Sequence, residues 1–374
     1  MRALIVEDGE ARGALAAVRA LGQAGWQVAV GSPQRTGLAG ASRWSSSKHG
    51  VPPAAAGTEP FLDAVATAVG ESGAEVVFGA GDAEVLALSE ARDRIEAAVP
   101  YAPHEAVVRA LDKVALAVEA RNAGLPVPWT AAASEEELIR AQGPVIVKAR
   151  LHAVPGRARF EAELCRDSTA ARAAAARIRE AGGEPILQER IEGPLVAYTA
   201  LADREGTVVA ALQQEAEATW PPEAGVSVRA RTVPVDPELA AASARLLAAL
   251  GWFGIAELQF VAPSAGRPVL IDLNGRFYGS LSLALAAGLN LPAMWAALAT
   301  GRQPPQVRTA RDGVRYQWAE GDLRRALRER DGILRTVAYA PRAAHSVWSI
   351  RDPAPSLRRA AALSRGVLRK LVRR

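Results

Sequence analysis

Four polar side chains in residues 254–280 have the spacing of a small oxygen-rich site. Turn-forming residues at 263–268 separate two apolar segments, which predicts an antiparallel β-hairpin. A register symmetric about that turn gives three cross-strand pairs: Glu257 with Asn274, Gln259 with Asp272, and Ala262 with Val269. Because side chains alternate along a strand, the first two pairs share one face. The opposite face is then apolar and carries Leu258, Phe260, Ile271 and Leu273.

Amide and carboxylate oxygens at this spacing suit a hard divalent cation, which takes oxygen ligands and keeps water or phosphate oxygens in its shell. Mg²⁺ or Mn²⁺ bound with a nucleoside triphosphate is the chemistry that the set favours. Any half-buried strand shows the same alternation, so a hairpin with one solvated face remains the alternative at this point.

The composition is that of a globular protein with two or three domains. The chain has 374 residues, of which 49% are hydrophobic and 23% are charged. The formal net charge is +5, but residues 357–374 carry seven cations and no acid. Because the rest of the chain is close to neutral, the composition argues against nucleic acid as a partner.

Cysteine chemistry, zinc sites and membrane spans have no support in the sequence. Cys165 is the only cysteine, and the four histidines have no metal-ligand spacing. No apolar run reaches the roughly 18–20 residues of a membrane span, and the first residues do not resemble a signal peptide. We therefore expect a cytoplasmic protein without a transmembrane segment.

Residues 1–105 predict an α/β domain. A buried strand at 3–6, a helix at 12–24 and a strand at 27–30 form a βαβ unit, and a further strand at 75–78 ends in a glycine-rich turn, residues 79–82. That turn is either a ligand site at a helix N-terminus or a tight connection. Residues 8–13 fall short of the G-x-G-x-x-G fingerprint, so an NAD-dependent oxidoreductase is a weaker alternative.

The following residues predict a change of architecture. A single helix is expected over 105–123, followed by a proline-containing link and a strand that closes on Lys148. That lysine either emerges at a sheet edge or directs its ammonium group at an anion. Predicted hairpins beyond it make the sheet antiparallel, which indicates a second domain of α+β character.

Five motifs in this order resemble the ATP-grasp superfamily. They are Asp112-Lys113, residues 124–130, the strand 144–148, the segment 186–193 and the hairpin that ends at residues 272–277. The run 274–281 is similar to predicted ATP-dependent carboxylate–amine ligases (carboligases), and Leu258-Gln259-Phe260 is similar to the metal strand in the ATP-grasp halves of carbamoyl-phosphate synthetase. The resemblance implies a Rossmann-like pre-grasp domain at 1–105 and an ATP-grasp domain at 106–310. The latter would comprise a nucleotide-clamping lobe at about 125–190 and a metal-binding lobe at 191–310, before a C-terminal extension at 311–374.

The resemblance also implies a chemistry and roles for individual residues. Lys113 and Lys148 match the cations that hold the phosphates of ATP, and Arg276 matches the catalytic cation that stabilises a transferred phosphate. The adenine-reading segment would comprise Gln188, Glu189, Arg190 and Ile191. The implied Mg²⁺ ligands are Gln259, Asp272 and Asn274. Together they imply a carbon–nitrogen ligase that joins a small-molecule carboxylate to an amine, or to a thiol, through an acyl-phosphate.

Three features depart from the superfamily pattern. Asp272 stands where glutamate is usual, and the loop after Lys148 lacks a glycine pair, so that Arg150, Arg157 or Arg159 would have to supply charge. Residues 224–229 replace a more glycine-rich segment, and they offer substrate contacts or only a surface strand. The tentative contacts to substrate or phosphate are Glu257, Ser227, Arg229 and Arg231. These departures keep open a catalytically weakened ATP-binding protein with a regulatory or assembly role.

The C-terminal residues carry less information. The basic segment 357–374 is expected to be a solvated or disordered tail, and an amphipathic helix for an anionic surface or a partner is the alternative. A homodimer is a further expectation that no sequence feature tests.

Overall fold

The computed structural model describes residues 1–35, 37–141, 143–154, 156, 160–222, 225–304, 309–329 and 332–372. The N-terminal part is a four-stranded parallel sheet in the order β3-β2-β1-β4. Its elements are β1 (Arg2–Val6), α1 (Arg12–Gln23), β2 (Gln27–Ser32), β3 (Ser45–Gly50), α2 (Thr58–Ser72), β4 (Val76–Gly79), α3 (Asp82–Glu90) and α4 (His104–Leu111). Because β1 and β4 are parallel neighbours, the loops that follow them open at the same edge of the sheet.

A small lobe follows, with its own four-stranded sheet in the order β5-β8-β6-β7. The helix α5 (Lys113–Asn122) leads into this lobe. The lobe contains β5 (Thr130–Ala132), α6 (Glu135–Arg140), β6 (Val145–Ala149), β7 (Glu163–Cys165), α7 (Ser168–Glu180) and β8 (Pro185–Glu189). All its strand pairs are antiparallel, as the sequence predicts.

The largest sheet has seven strands in the order β13-β12-β9-β10-β11-β14-β15. Its strands are β9 (Leu195–Ala202), β10 (Val208–Trp220), β11 (Val226–Val233), β12 (Gly254–Val261), β13 (Val269–Asn274), β14 (Arg315–Gln317) and β15 (Ala343–His345). The accompanying helices are α8 (Pro237–Leu250), α9 (Leu281–Ala286), α10 (Leu291–Ala299), α11 (Ala319–Ala326), α12 (Gly332–Tyr339) and α13 (Pro353–Val372). A parallel sheet followed by mainly antiparallel sheets confirms the predicted multidomain α/β and α+β class.

The predicted hairpin register is right near the polar residues and wrong near the turn. Glu257 pairs with Asn274 and Gln259 with Asp272, but the register then shifts and Val269 pairs with Val261, not with Ala262. The shift adds one residue to β13 at Ile271, as in a β-bulge. The pleat therefore changes phase, so that Leu270 is buried and Ile271 is only half-buried, contrary to the predicted apolar face.

Two further expectations are wrong. The helix predicted over 105–123 is two helices, because the Asp112 side chain accepts hydrogen bonds from Val114 N at 2.9 Å and Ala115 N at 3.1 Å and so starts α5 anew. The terminal segment, expected to be a solvated or disordered tail, is helical through Val372 as part of α13, so the disordered form of that expectation is wrong. Among the described helices, none is both long and apolar enough to cross a membrane.

One hydrophobic core joins the parallel sheet to the seven-stranded sheet, whereas the small lobe has a separate core centred on Leu138, Val147 and Leu187. An aromatic cluster fixes the junction of the two larger sheets. Phe277, just after β13, lies 5.2 Å from Phe78 of β4 and 5.5 Å from Trp295 of α10, measured between ring centroids. Gly13 permits the close approach of α1, because a Cβ there would lie 2.3 Å from the Phe277 carbonyl oxygen.

Asp352, just before α13, forms hydrogen bonds with residues of α1 and of the loop that precedes β3. Its buried carboxylate accepts hydrogen bonds from Arg19 Nε at 2.8 Å, Ser42 Oγ at 2.7 Å and Arg43 N at 2.9 Å. Burial acts to raise the pKa of Asp352, but these donors outweigh burial and hold the pKa below its usual value. The negative charge of Asp352 therefore stabilises the native state at neutral pH.

We expect Asp352→Asn to lower the free energy of unfolding by about 3 kcal/mol at pH 7, because it leaves the Arg19 charge buried without a counter-ion. Since a lowered native pKa gives stability that is present above the unfolded-state pKa and lost as the pH falls through the native pKa, the difference between the two proteins should shrink in acid. Urea unfolding at pH 7 and at pH 3 measures both effects.

Glu59→Gln, which breaks an exposed pair with Arg94, is the control and should change little. Equal stability of Asp352→Asn and wild type at pH 7 would contradict the assignment.

Candidate functional site

A cavity of about 490 Å³ lies where the three sheets meet. The loops after β1 and β4 form one wall, the end of β6 and its following loop form a second, and the polar face of the β12–β13 hairpin forms the third. The lining of the cavity includes six of the sequence-predicted site residues with assigned roles: Lys113, Lys148, Gln259, Asp272, Asn274 and Arg276.

Two lysines enter the cavity from different elements and bind the same strand. Lys113, the first residue of α5, forms an ion pair with Asp272 Oδ1. The Lys148 ammonium group donates to the Ile271 carbonyl oxygen at 3.2 Å. Both lysines are therefore held beside the oxygen donors of β13, one from the helix that precedes the small lobe and one from the lobe itself.

Arg276 joins the hairpin to the parallel sheet. Its Nε donates to Asp82 Oδ1 at 2.6 Å and its Nη2 donates to Asn274 Oδ1 at 3.1 Å. His152 Nε2 lies 3.2 Å from the other oxygen of Asp82. Burial acts to raise the pKa of Asp82, but Arg276 and His152 outweigh it and lower the pKa to about 2. Asp82 is thus a permanent anion that holds the guanidinium in place.

Glu257 organises the two amide side chains of the hairpin. Its Oε2 accepts from Gln259 Nε2 and from Asn274 Nδ2, each at 3.0 Å. Ser280 Oγ lies 3.4 Å from the other oxygen and is also bonded to Gln214. Because both amide nitrogens are directed at Glu257, the amide oxygens point away from it. Asn274 offers its oxygen to Arg276, and among the described residues none donates a hydrogen bond to the oxygen of Gln259.

The charges in the cavity have shifted pKa values. Burial, together with Lys113, lowers the pKa of Lys148 to about 8. Burial acts to raise the pKa of Asp272, but Lys113 and Lys148 outweigh it and hold the pKa below its usual value. Burial raises the pKa of Glu257 to about 7 despite the hydrogen bond from Gln259. Asp272 is therefore the charged oxygen donor of the hairpin at neutral pH.

The segment predicted to read adenine lies outside this cavity. Gln188 is buried and donates to Thr130 Oγ1 at 3.1 Å. Glu189 and Arg190 line a second, more open pocket beside Trp129. Glu189 Oε2 accepts a hydrogen bond from the backbone N–H of Trp129 at 3.2 Å. Ile191 follows β8 and is half-buried. The adenine-reading role of these four residues stays a prediction.

The tentative substrate contacts divide into two groups. Ser227 and Glu257 line the cavity. Arg229 instead pairs with Asp322 at 2.8 Å, and Arg231 lies near Glu215 at 3.3 Å on the surface. These two arginines are therefore engaged with acidic side chains that do not line the cavity.

Of the arginines expected to compensate for the glycine-poor loop, the structure describes Arg150, which does not line the cavity. Arg150 pairs with Asp112 at 2.7 Å and with Glu184 at 3.3 Å. Arg157 and Arg159 lie outside the described residues. His152, which the sequence analysis set aside, is the residue of this loop that reaches Asp82.

Sequence reasoning also missed Asp82 and Arg12. Asp82 is the last residue of the glycine-rich turn after β4, which the sequence offered as a ligand site or a tight connection. Its position at the carboxyl end of a parallel strand was the available signal. Arg12 opens α1 at the neighbouring strand end and lines the same cavity. Neither residue belongs to a recognisable motif, because their importance depends on how the parallel sheet packs against the hairpin.

Comparisons with known proteins agree with this architecture. The family described as ATP-grasp in the biosynthetic pathway with Ter operon matches residues 184–322. The biotin carboxylase domain of 2-oxoglutarate carboxylase from Hydrogenobacter thermophilus has a similar structure, with a TM-score of 0.64 and 17% identity over 84% of this chain and 73% of that chain. None of the curated proteins gives a significant match.

Two other solved structures are similar over most of their length. L-amino acid ligase from Bacillus licheniformis gives a TM-score of 0.64 at 15% identity, covering 82% of this chain and 75% of that chain. N5-carboxyaminoimidazole synthetase from Staphylococcus aureus gives 0.64 at 12% identity, covering 88% and 86%. The resemblance seen in the sequence motifs is thereby confirmed, and the chain has the ATP-grasp fold.

Proposed function

We propose that the chain is an ATP-dependent ligase that joins a carboxylate to an amine through an acyl-phosphate, with Mg²⁺ bound to the nucleotide. One observation carries the proposal: Lys113, Lys148 and Arg276 converge from three elements on the oxygen donors of one hairpin. Three cations beside an anionic strand are suited to a polyphosphate and a divalent cation. The related biotin carboxylase domain from H. thermophilus was solved with MgADP, which supports the same ligand here.

The hairpin fits a magnesium ion that is shared with phosphate groups. Asp272 supplies a charged carboxylate, and the cross-strand Gln259 supplies an amide oxygen whose orientation Glu257 fixes. Asn274 can contribute its amide oxygen, which accepts one hydrogen bond from Arg276 and has a second lone pair. Within the described residues no group of three or more His, Cys, Asp or Glu side chains forms a metal site. Phosphate oxygens would therefore supply many of the ligands of the ion, as they commonly do for Mg²⁺. The negative charge of the phosphates would balance the positive charge of the ion.

The chain's own residues would then act by position and charge. Lys113 and Lys148 hold the triphosphate while an oxygen of the carboxylate substrate forms a bond to the γ-phosphorus and the bond to the ADP oxygen breaks. Arg276, fixed by Asp82, stabilises the transferred phosphoryl group, and the described residues leave its Nη1 without a hydrogen bond. An amine then displaces phosphate from the acyl carbon. Most of the catalysis is electrostatic in such a transfer.

The boundaries expected from the sequence remain part of this proposal. We propose a pre-grasp domain at 1–105, a grasp domain at 106–310 and an extension at 311–374. The H. thermophilus structure is described as a dimer, and a homodimer of this chain remains a prediction.

A weakened ATP-binding protein is the second candidate, and one observation favours it. Asp272 is occupied by Lys113, and the shorter aspartate offers less reach than the glutamate usual in the superfamily. In that case nucleotide binds but no ADP is released with any carboxylate. The two candidates therefore differ in turnover and not in affinity.

Asp272 variants decide between them. If the chain is a ligase, Asp272→Ala should lower the rate of ADP release by about 10²-fold or more, because it removes the charged metal ligand, while Asp272→Glu should keep activity. The measurement is ADP formed with Mg²⁺, ATP and pools of carboxylates, using hydroxylamine to trap acyl-phosphate as a hydroxamate. Tight ATP binding without hydroxamate, unaffected by Asp272→Ala, would support the weakened protein instead.

Lys148 gives an independent test of the nucleotide site. We expect Lys148→Met to weaken ATP binding by about tenfold or more, because a buried phosphate would lose a cation. In the wild type, ATP affinity should fall as the pH rises through about 8, where Lys148 loses its proton. Isothermal titration from pH 6.5 to 9.5 measures both effects. Wild-type affinity in Lys148→Met would exclude a phosphate contact.

A further inference from the structure

One wall of the cavity carries charged groups that the proposed phosphate and metal chemistry does not use. It consists of the loop after β1, the first residue of α1 and the first turn of α3. Apart from Asp82, which pairs with Arg276, its charged side chains are Asp8, Glu10, Arg12 and Glu84. Glu10 is neutralised by an ion pair with Arg359 of α13. Arg12, Glu84 and Asp8 remain, and each faces the cavity.

Arg12 is held rigidly but has no counter-ion among the described residues. Its Nη1 donates to Tyr316 Oη at 2.9 Å, and its guanidinium carbon lies 3.9 Å from the centroid of the Trp318 ring. A Cβ on Gly279 would lie 2.9 Å from its Nη2, so backbone also packs closely against the guanidinium. A guanidinium that is preorganised and unpaired in a cavity is suited to bind a carboxylate in bidentate fashion.

Glu84 is the opposite case, a buried carboxylate. Its residue is only 6% exposed, yet no described residue forms an ion pair with it, and its own backbone N–H is the donor to its carboxylate. Burial and the negative charges of Asp8 and Asp82 raise its pKa to about 7. Asp82 differs because Arg276 neutralises it. Glu84 and Asp8 together therefore offer a site for a positive group.

We propose that this wall binds the amine substrate as a zwitterionic α-amino acid, with its carboxylate on Arg12 and its ammonium group beside Glu84 and Asp8. The inference rests on the proposed ligase function and names the substrate class of its second step. Arg12 lies outside the hydrogen-bonded network of Lys113, Lys148 and Arg276, so an anion on Arg12 does not compete with the triphosphate for those cations.

The second step then has a defined proton path. The ammonium group gives one proton to the Glu84 carboxylate, and the freed lone pair forms the C–N bond to the acyl carbon. The bond from that carbon to the phosphate oxygen breaks with its electron pair on phosphate. The nitrogen gives its second proton to the departing phosphate, and Glu84 returns its proton to solvent. The product is an amide whose carboxylate still lies on Arg12.

The test separates acyl-phosphate formation from amine recognition. A carboxylate that gives a hydroxamate with ATP and hydroxylamine is chosen first, since hydroxylamine is small and carries no carboxylate. Hydroxylamine is then replaced by the twenty L-amino acids, by their C-terminal amides and by the corresponding decarboxylated amines. We expect at least one amino acid to be ligated with kcat/KM at least tenfold above its amide and amine.

Substitutions in the wall test whether its side chains are the source of that preference. Arg12→Met should abolish the preference and leave hydroxamate formation within about threefold. Arg12→Lys keeps the positive charge but cannot bind a carboxylate in bidentate fashion, so it should keep part of the preference. This variant also serves as the control for the case in which Arg12→Met fails to fold. Glu84→Gln should lower kcat with amino acids but not with hydroxylamine. Arg204→Met, which removes an arginine stacked 4.5 Å from the Phe253 centroid away from the cavity, should behave as wild type.

Three results would overturn the inference while leaving the ligase function standing. They are hydroxamate formation without ligation of any amino acid, equal use of amino acids and their amides, or an unchanged preference in both Arg12 variants. Absence of hydroxamate with every carboxylate would instead remove the proposed function itself, and the inference with it.

Discussion

The buried ion pair between Arg276 and Asp82 is the interaction on which the cavity depends. It joins a residue just beyond the β12–β13 hairpin to the first residue of α3, so it crosses the boundary between two sheets. Both partners are well buried, which would be costly if either were alone. Phe277, next to Arg276 in sequence, is locked between Phe78 and Trp295. Apolar packing thus sets the distance at which the two charges meet.

Two separate hydrophobic cores each support a different set of the side chains that line the cavity. The parallel sheet and the large sheet share one core, so the groups they contribute, Asp82, Arg276 and Asp272, are held in a single rigid body. The small lobe has its own core and reaches the cavity through Lys148 and the loop around His152. The loop after β6 also packs Leu151, Ala153 and Val154 against the main core, so apolar as well as polar contacts cross this junction.

Sequence reasoning predicted the fold class and the hairpin face because both depend on local patterns. The pairing of Glu257 with Asn274 follows from alternation and a turn signal, and the structure confirms it. The register error at Val269 has a different origin, since a bulge adds a residue without leaving any signal in the apolar pattern. The break at Asp112 was readable as a capping residue, but a continuous run of helix-forming residues concealed it.

The arginines show where sequence reasoning stops. Arg229, Arg231 and Arg276 were all placed on or beside strands of one sheet, yet only Arg276 lines the cavity, because Asp322 and Glu215 hold the other two. The partner of Arg229 lies about 90 positions away in the chain, so this ion pair depends on how distant elements pack. The roles of Asp82 and Arg12 follow only from the structure, in which the loops after β4 and β1 line the same cavity.

The contact between Lys113 and Asp272 has a consequence for the order in which ligands bind. Each residue is the other's partner in the protein alone, and under the proposed function each has a different partner in the complex, phosphate for Lys113 and the metal for Asp272. A cation that binds Asp272 releases Lys113 for phosphate, and a phosphate that binds Lys113 releases Asp272 for the cation. Nucleotide and metal are then thermodynamically linked, and each raises the affinity of the other by the same factor.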